Sequence, residues 1–195
     1  MKKSSLALLI IFFFVVIDQV VKIWVKTTMS IGEAVPVLGN WFYIYFVENE
    51  GMAFGLSFGT GIGKLLLSLL RIGVVGFIIY YLFSLIKKQQ AGWLVVVTLS
   101  VIIAGALGNI IDSMFYGVFW SYAPFLYGHV VDMFYFKLFP IPNWVPLWGG
   151  SHFFPAIFNV ADACTTIGIF IIIIWNKKFF IHKKEDLNTN LETVG

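Results

Sequence analysis

The chain of 195 residues reads as an all-α membrane protein, with four transmembrane helices, a small β-structure and an amphipathic outer loop. Three observations predict this. The composition is 59% hydrophobic and only 12% charged, where a soluble domain carries roughly 25% charged residues, and mean hydropathy is +0.90. Four apolar stretches, 6–25, 63–86, 92–111 and 157–175, approach the roughly 20 residues that one span needs. Basic residues also sort to one side: Lys2, Lys3, Lys87, Lys88, Lys177, Lys178, Lys183 and Lys184 share a face if the spans alternate. The positive-inside rule makes that face cytoplasmic, so both termini are expected inside and the first and third connections outside.

The first stretch follows Lys2 and Lys3 as a signal peptide would. It is too long for a cleaved apolar core, however, and carries Asp18, Gln19 and Lys22 in its second half, so a retained helix is expected. The first outer connection, 27–62, contains NWFYIYFVEN (40–49), rich in aromatic and β-branched residues, and then a glycine-rich tract. A small sheet with a bend near Gly51 is predicted there. The third stretch ends in AGALGNIID (104–112), where Gly105, Gly108, Asn109 and Asp112 fall on one helical face. Small residues at that spacing admit a neighbouring helix, and Asn109 can bond across the contact. Residues 113–156 form the second outer connection, dense in Phe, Tyr and Trp and broken by Pro124, Pro140, Pro142 and Pro146, a composition suited to the membrane–water boundary. The fourth stretch opens at Asn159 and Asp162, three residues apart, which can cap a helix reciprocally. Residues 1–183 are expected to be one membrane domain and 184–195 a polar, disordered cytoplasmic tail. The net charge of +3 follows from topology and carries no nucleic-acid signature; the single cysteine, Cys164, excludes an internal disulfide.

The acidic residues carry the functional signal. Outside the first outer loop and the tail there are four, all aspartates: Asp18, Asp112, Asp132 and Asp162. With the topology above, all lie near the outer boundary, on three helix ends and one loop. Ionised aspartates within a membrane persist when they are paired or line a polar cavity. Two carboxylates sharing one pocket hold one proton between them, so that one can take a proton from water while the other polarises a carbonyl. Such a pair hydrolyses a peptide bond without a covalent enzyme intermediate. Asp132 and Asp162 are the candidates, with the acid and base roles left unassigned between them.

Other chemistries fit less well. His129, His152 and His182 are isolated and no metal-binding HExxH run occurs, so no metal or other cofactor is expected. Lys64 and Ser68 stand four apart, the spacing of a serine–lysine pair but also of ordinary helix packing. Outside enzymes, a proton- or ion-coupled carrier could use the same aspartates, although no inverted repeat is visible.

Five blocks, DQVVK (18–22), NEGMAF (49–54), GALGNIID (105–112), VVDMF (130–134) and FNVAD (158–162), give the chain a resemblance to the lipoprotein signal peptidases, the bacterial type II signal peptidases, over about residues 6–178. Each block is weak alone; five in order are specific. The resemblance implies an intramembrane aspartyl protease of the bacterial inner membrane, with Asp132 and Asp162 as its dyad. It implies that Asp18, Lys22, Asn49, Gly51, Gly108, Asn109, Asp112 and Asn159 surround or support them. It further implies a periplasmic β-cradle, a diacylglyceryl prolipoprotein substrate cleaved before its lipidated cysteine, contact with membrane lipids, a monomer, and inhibition by globomycin-type compounds. The chain departs from the family's pattern at Ser113, where many members have arginine, and in a longer outer loop over 113–155.

Overall fold

The long apolar runs contain no proline, so nothing interrupts their helices. In the computed structural model, which describes residues 1–49, 61–146, 149–150, 152–153 and 156–175, they form α1 (Lys3–Thr28), α2 (Gly61–Lys87), α3 (Trp93–Ile111) and α5 (Val160–Ile174). Three of these, α1, α2 and α3 with its continuation, are long and apolar enough to cross a membrane. Large apolar side chains such as Leu8, Phe12, Val20, Leu66, Phe77, Phe170 and Ile174 point outward. A patch of that extent is unsuited to water and suited to lipid.

The third helix is the centre of the bundle. Half of its apolar window is buried, against 17% for α1 and α2, and α1, α2 and α5 all pack on it. One apolar cluster joins Ala7, Leu82, Val96, Leu99 and Ile103 at the end where the Lys3 Nζ donates to the Ala91 carbonyl (2.7 Å). The expected glycine packing is present. A methyl on Gly105 would run into the Ala161 carbonyl and Thr165, and one on Gly108 into the Asp18 carboxylate and Ala161. These two positions let α5 and α1 approach α3 backbone to backbone.

Asp112 was expected to close the third helix, but the helix continues. Asp112–Tyr116 form a π turn and Gly117–Phe119 a short α4. The wider turn carries Asp112, Ser113 and Tyr116 into the interior together.

The small β-structure expected beside the helices is present, and it draws on more of the chain than 40–49. Four antiparallel strands, β1 (Ala34–Leu38), β2 (Phe42–Asn49), β3 (Val130–Phe136) and β4 (Ile157–Phe158), form one sheet in chain order. The segment 40–49 supplies β2 as expected, whereas β3 and β4 come from the outer loop and from the start of the expected fourth span. Ile157 and Phe158 therefore belong to the sheet, and the helix begins at Val160. Pro36 lies on the edge strand beside a bulge, where its missing N–H is tolerated. Rings of Phe42, Phe134, Phe136 and Phe158 stack across β2, β3 and β4, with centroids 4.8 to 6.2 Å apart, and help fix the register. Under the sheet, Val25, Phe46, Tyr116, Val131 and Met133 form a second cluster. The expected bend at Gly51 and the tail 184–195 lie outside the described residues.

Candidate active site

Strand pairing brings the two candidate aspartates together. Phe134 of β3 lies opposite Phe158 of β4, so the antiparallel register carries Asp132 towards the residues that follow β4. Asn159 follows immediately and caps α5. Its Oδ1 accepts the Asp162 N–H (2.9 Å) while the Asp162 Oδ2 accepts the Asn159 N–H (3.3 Å), the reciprocal box expected from the spacing. The Asn159 Nδ2 turns the other way and donates to Asp132 Oδ1 (2.6 Å), facing Asn109 Oδ1 (3.1 Å) and the Val131 carbonyl (3.2 Å) as well. One buried asparagine thus links both carboxylates. Capping and site-building are the same contact.

Other asparagines complete the ring. Asn109 Nδ2 donates to Asp162 Oδ1 (2.8 Å), and Asn49 Nδ2 reaches Asp132 Oδ2 (3.3 Å) from the end of β2. Asp132 is only 4% exposed. Burial, and after it the charge of Asp162, push its carboxyl up to about 7, against the opposing pull of Asn49, Lys22 and Asn159.

Behind the pair lies a second charged cluster. Lys22 Nζ, fully buried, meets Asp18 Oδ2 and Asp112 Oδ2 (2.8 Å each) and donates to Asn109 Oδ1 (2.8 Å). Asp18 Oδ1 accepts the Ala161 N–H (2.9 Å), a second cap on α5 supplied by α1. Asp112 Oδ2 accepts the Val131 N–H (3.2 Å), tying the sheet to α3 one residue before Asp132. Gly108 leaves room for the Asp18 carboxylate. Every expected site residue except Gly51, which is outside the described residues, therefore falls in or against one network. Ser113 is buried, with its hydroxyl bonded to the Asn109 carbonyl (2.9 Å), and offers no cation. The Ser68 hydroxyl is likewise committed, to the Leu126 carbonyl (3.1 Å), which speaks against a serine nucleophile.

Two residues escaped the sequence reading. Gln19 Nε2 donates to Asp112 Oδ1 (2.9 Å) and its Oε1 accepts from the Tyr116 hydroxyl (3.2 Å). Its signal was present, as a polar residue beside Asp18 inside an apolar run. Arg71, the chain's single arginine, lines a groove of about 810 Å³ between α2, α3 and α5 together with Asn109 and Asp162. An arginine in the middle of a span was the overlooked cue.

The profile of the Signal peptidase (SPase) II family matches residues 10–178. The chain belongs to the signal peptidase II family. Family members include a lipoprotein signal peptidase of Porphyromonas gingivalis, 46% identical over 85% of this chain and 80% of its own. That of Amoebophilus asiaticus is 39% identical over 82% and 72%, and that of Fusobacterium nucleatum 32% over 93% and 91%. A solved bacterial membrane enzyme superposes with a TM-score of 0.63 at 32% identity, covering 87% of this chain and 91% of its own. The protein is thus a membrane-embedded aspartic-type peptidase of the signal peptidase II kind.

Proposed function

We propose that this peptidase removes the signal peptide from diacylglyceryl-modified prolipoproteins, cutting just before the lipidated cysteine, with Asp132 and Asp162 as the catalytic pair. The observation that carries the reading is Asn159, which joins both carboxylates by hydrogen bonds, Asp132 through its side chain and Asp162 through its backbone N–H, while Asp162 lines an apolar groove. Relatives named lipoprotein signal peptidase support the substrate class. In this mechanism the carboxylate of the pair takes a proton from water as the oxygen attacks the scissile carbonyl. The protonated partner donates to that carbonyl, giving a gem-diol; the proton taken from water then passes to the leaving amine as the C–N bond breaks, and the diol returns a proton to the partner. Asn109, Asn159 and Asn49 hold the pair in place, and Asp18, Lys22, Asp112 and Gly108 brace the helices behind it. Gly51 stays a supporting residue by resemblance alone.

In the same reading, residues 1–183 form one domain with four spans, α5 being the fourth, and 184–195 a cytoplasmic tail. Both termini face the cytoplasm and the sheet forms a cradle on the periplasmic side of the bacterial inner membrane. The protein acts as a monomer and is sensitive to globomycin-type inhibitors. A carrier reading has less behind it, because Asp18, Asp112, Asp132 and Asp162 belong to one connected cluster and not to a path across the bilayer.

The test is cleavage of a lipidated prolipoprotein by purified Asp132→Asn and Asp162→Asn proteins. Each should lose at least about a thousandfold in rate, as when one member of an interdependent catalytic unit is removed, while melting as a folded species. Full activity in either variant would end the assignment.

A further inference from the structure

Arg71 is costly where it stands. It lies ten residues into α2, about 15 Å along the axis, among the outward-facing apolar side chains of Leu66, Leu69, Leu70 and Val74. A charged residue within a span faces a polar cavity or a partner, and by default marks a functional site. Arg71 faces the groove that holds Asp162, and the rest of the wall beside it is mostly apolar, with Val75, Ala106 and Ile167. Two of the groove's other polar residues bond within the protein: Asn109 with Asp162 and Lys22, and Thr165 with the Ala161 carbonyl (3.0 Å).

We propose that Arg71 is a substrate-contacting specificity residue, donating to the ester carbonyl oxygens of the diacylglyceryl group while the acyl chains lie along the apolar wall. The proposal rests on the peptidase reading above. Chemistry narrows the choice of ligand. Next to its scissile bond a diacylglyceryl-cysteine carries no negative charge, and its characteristic acceptors are two ester carbonyls a few bonds from the cysteine sulfur. A guanidinium has five N–H donors in a planar fork. The fork can meet both ester carbonyls at once, and bonds from an ionised donor are the stronger kind. Lysine would keep the charge and lose the fork.

The experiment compares two lipopeptides matched in chain length, one with ester-linked acyl chains and one with ether-linked alkyl chains that lack the carbonyls. For the wild-type enzyme the diether should have a KM about tenfold higher, the loss of one charge-assisted bond. Arg71→Gln should raise KM on the diester by about the same factor with kcat within about twofold, and should leave the diether unchanged. Arg71→Lys should fall between. Equal KM increases on both substrates, or a fall in kcat at constant KM, would overturn the proposal, the latter by assigning Arg71 to the aspartates. Fluorescence anisotropy of the two labelled lipopeptides on the Asp132→Asn protein, with and without Arg71→Gln, gives the same comparison without turnover. A diester preference lost with Arg71 supports the contact even if cleavage fails, and that failure would count against the peptidase reading alone. Absence of any diester preference in binding refutes the contact.

Discussion

With Asp132 in the proposed catalytic pair, its carboxyl sets the chemistry's dependence on pH. Its carboxyl, raised to about 7 chiefly by burial and then by Asp162, keeps a proton at pH values where an exposed aspartate has lost it. In the proposed mechanism a pair with one proton is the working state, so kcat/KM should fall as pH rises through about 7 and that proton leaves. Replacing Asn49 by Ala removes a donor that favours the ionised form. The alkaline limb should therefore move up, by about half a unit to one unit. The sign for stability is the reverse of that for a salt-bridged carboxylate. Folding retains a proton that the unfolded chain releases above about pH 4, so this residue's contribution declines from about pH 4 to about 7. Asp132→Asn, which mimics the protonated form, should thus melt higher than wild type at pH 8, by a smaller margin at pH 5, and show little difference near pH 4. A flat pH–rate profile between 5 and 9, or a mutant that melts lower at pH 8, would contradict this account. At this scale the sequence was largely readable, because aspartates inside apolar runs are conspicuous. Gln19 and Arg71 were not read, since one polar residue per span can always be assigned to packing or to a helix end.

The elements meet through charge as well as through apolar packing. Lys22 of α1 is held between Asp18 of the same helix and Asp112 after α3, with Asn109 as its third partner. Through Asp18 the cluster reaches the N-terminus of α5, and through Asp112 it reaches β3. Lys22→Met removes the only cation of this buried group and leaves two carboxylates facing each other. The expected loss is about 3–5 kcal/mol of stability, read as a drop in melting temperature in detergent, with activity lost alongside. Adding Asp18→Asn and Asp112→Asn to Lys22→Met should recover part of that loss, because the uncompensated charges go with the lysine. Stability unchanged by Lys22→Met would mean that the cluster does not hold the helices together. Helix existence was predictable from apolar run length, and the α3 stripe from its spacing. The strands β3 and β4 were not. VVDMFYF is short, flanked by aromatic loop, and resembles any apolar segment until β2 lies beside it, while Ile157–Phe158 merges with the apolar run that follows. The π turn at Asp112 likewise has no local signature, since its stabilisation comes from burying Tyr116 under the sheet.

For the whole molecule, orientation decides which face the peptidase serves. The connection between α2 and α3 carries Lys87 and Lys88, and Lys2 and Lys3 stand at the same end, with Lys3 bonded to that connection. The sheet, with Asp132 on β3, stands at the opposite end, joined to α1 where Lys26 pairs with Glu48 and sits over the rings of Phe46, Trp120 and Tyr122. In the proposed topology, positive charge inside puts the sheet and the aspartate pair outside. Cys164 is buried, so its replacement by alanine gives a clean background for single cysteines at two exposed positions, Asn40 in the β1–β2 turn and Gln90 between α2 and α3. In intact spheroplasts a membrane-impermeant maleimide should label Asn40→Cys and spare Gln90→Cys; after permeabilisation both should label. The reverse pattern would put the catalytic pair on the cytoplasmic side, where a signal peptide's cleavage site, already carried across, could not reach it. Labelling and activity are linked by the same geometry: if the sheet faces outward, a scissile bond tethered by acyl chains in the outer leaflet meets Asp132 and Asp162 at the depth where α5 begins.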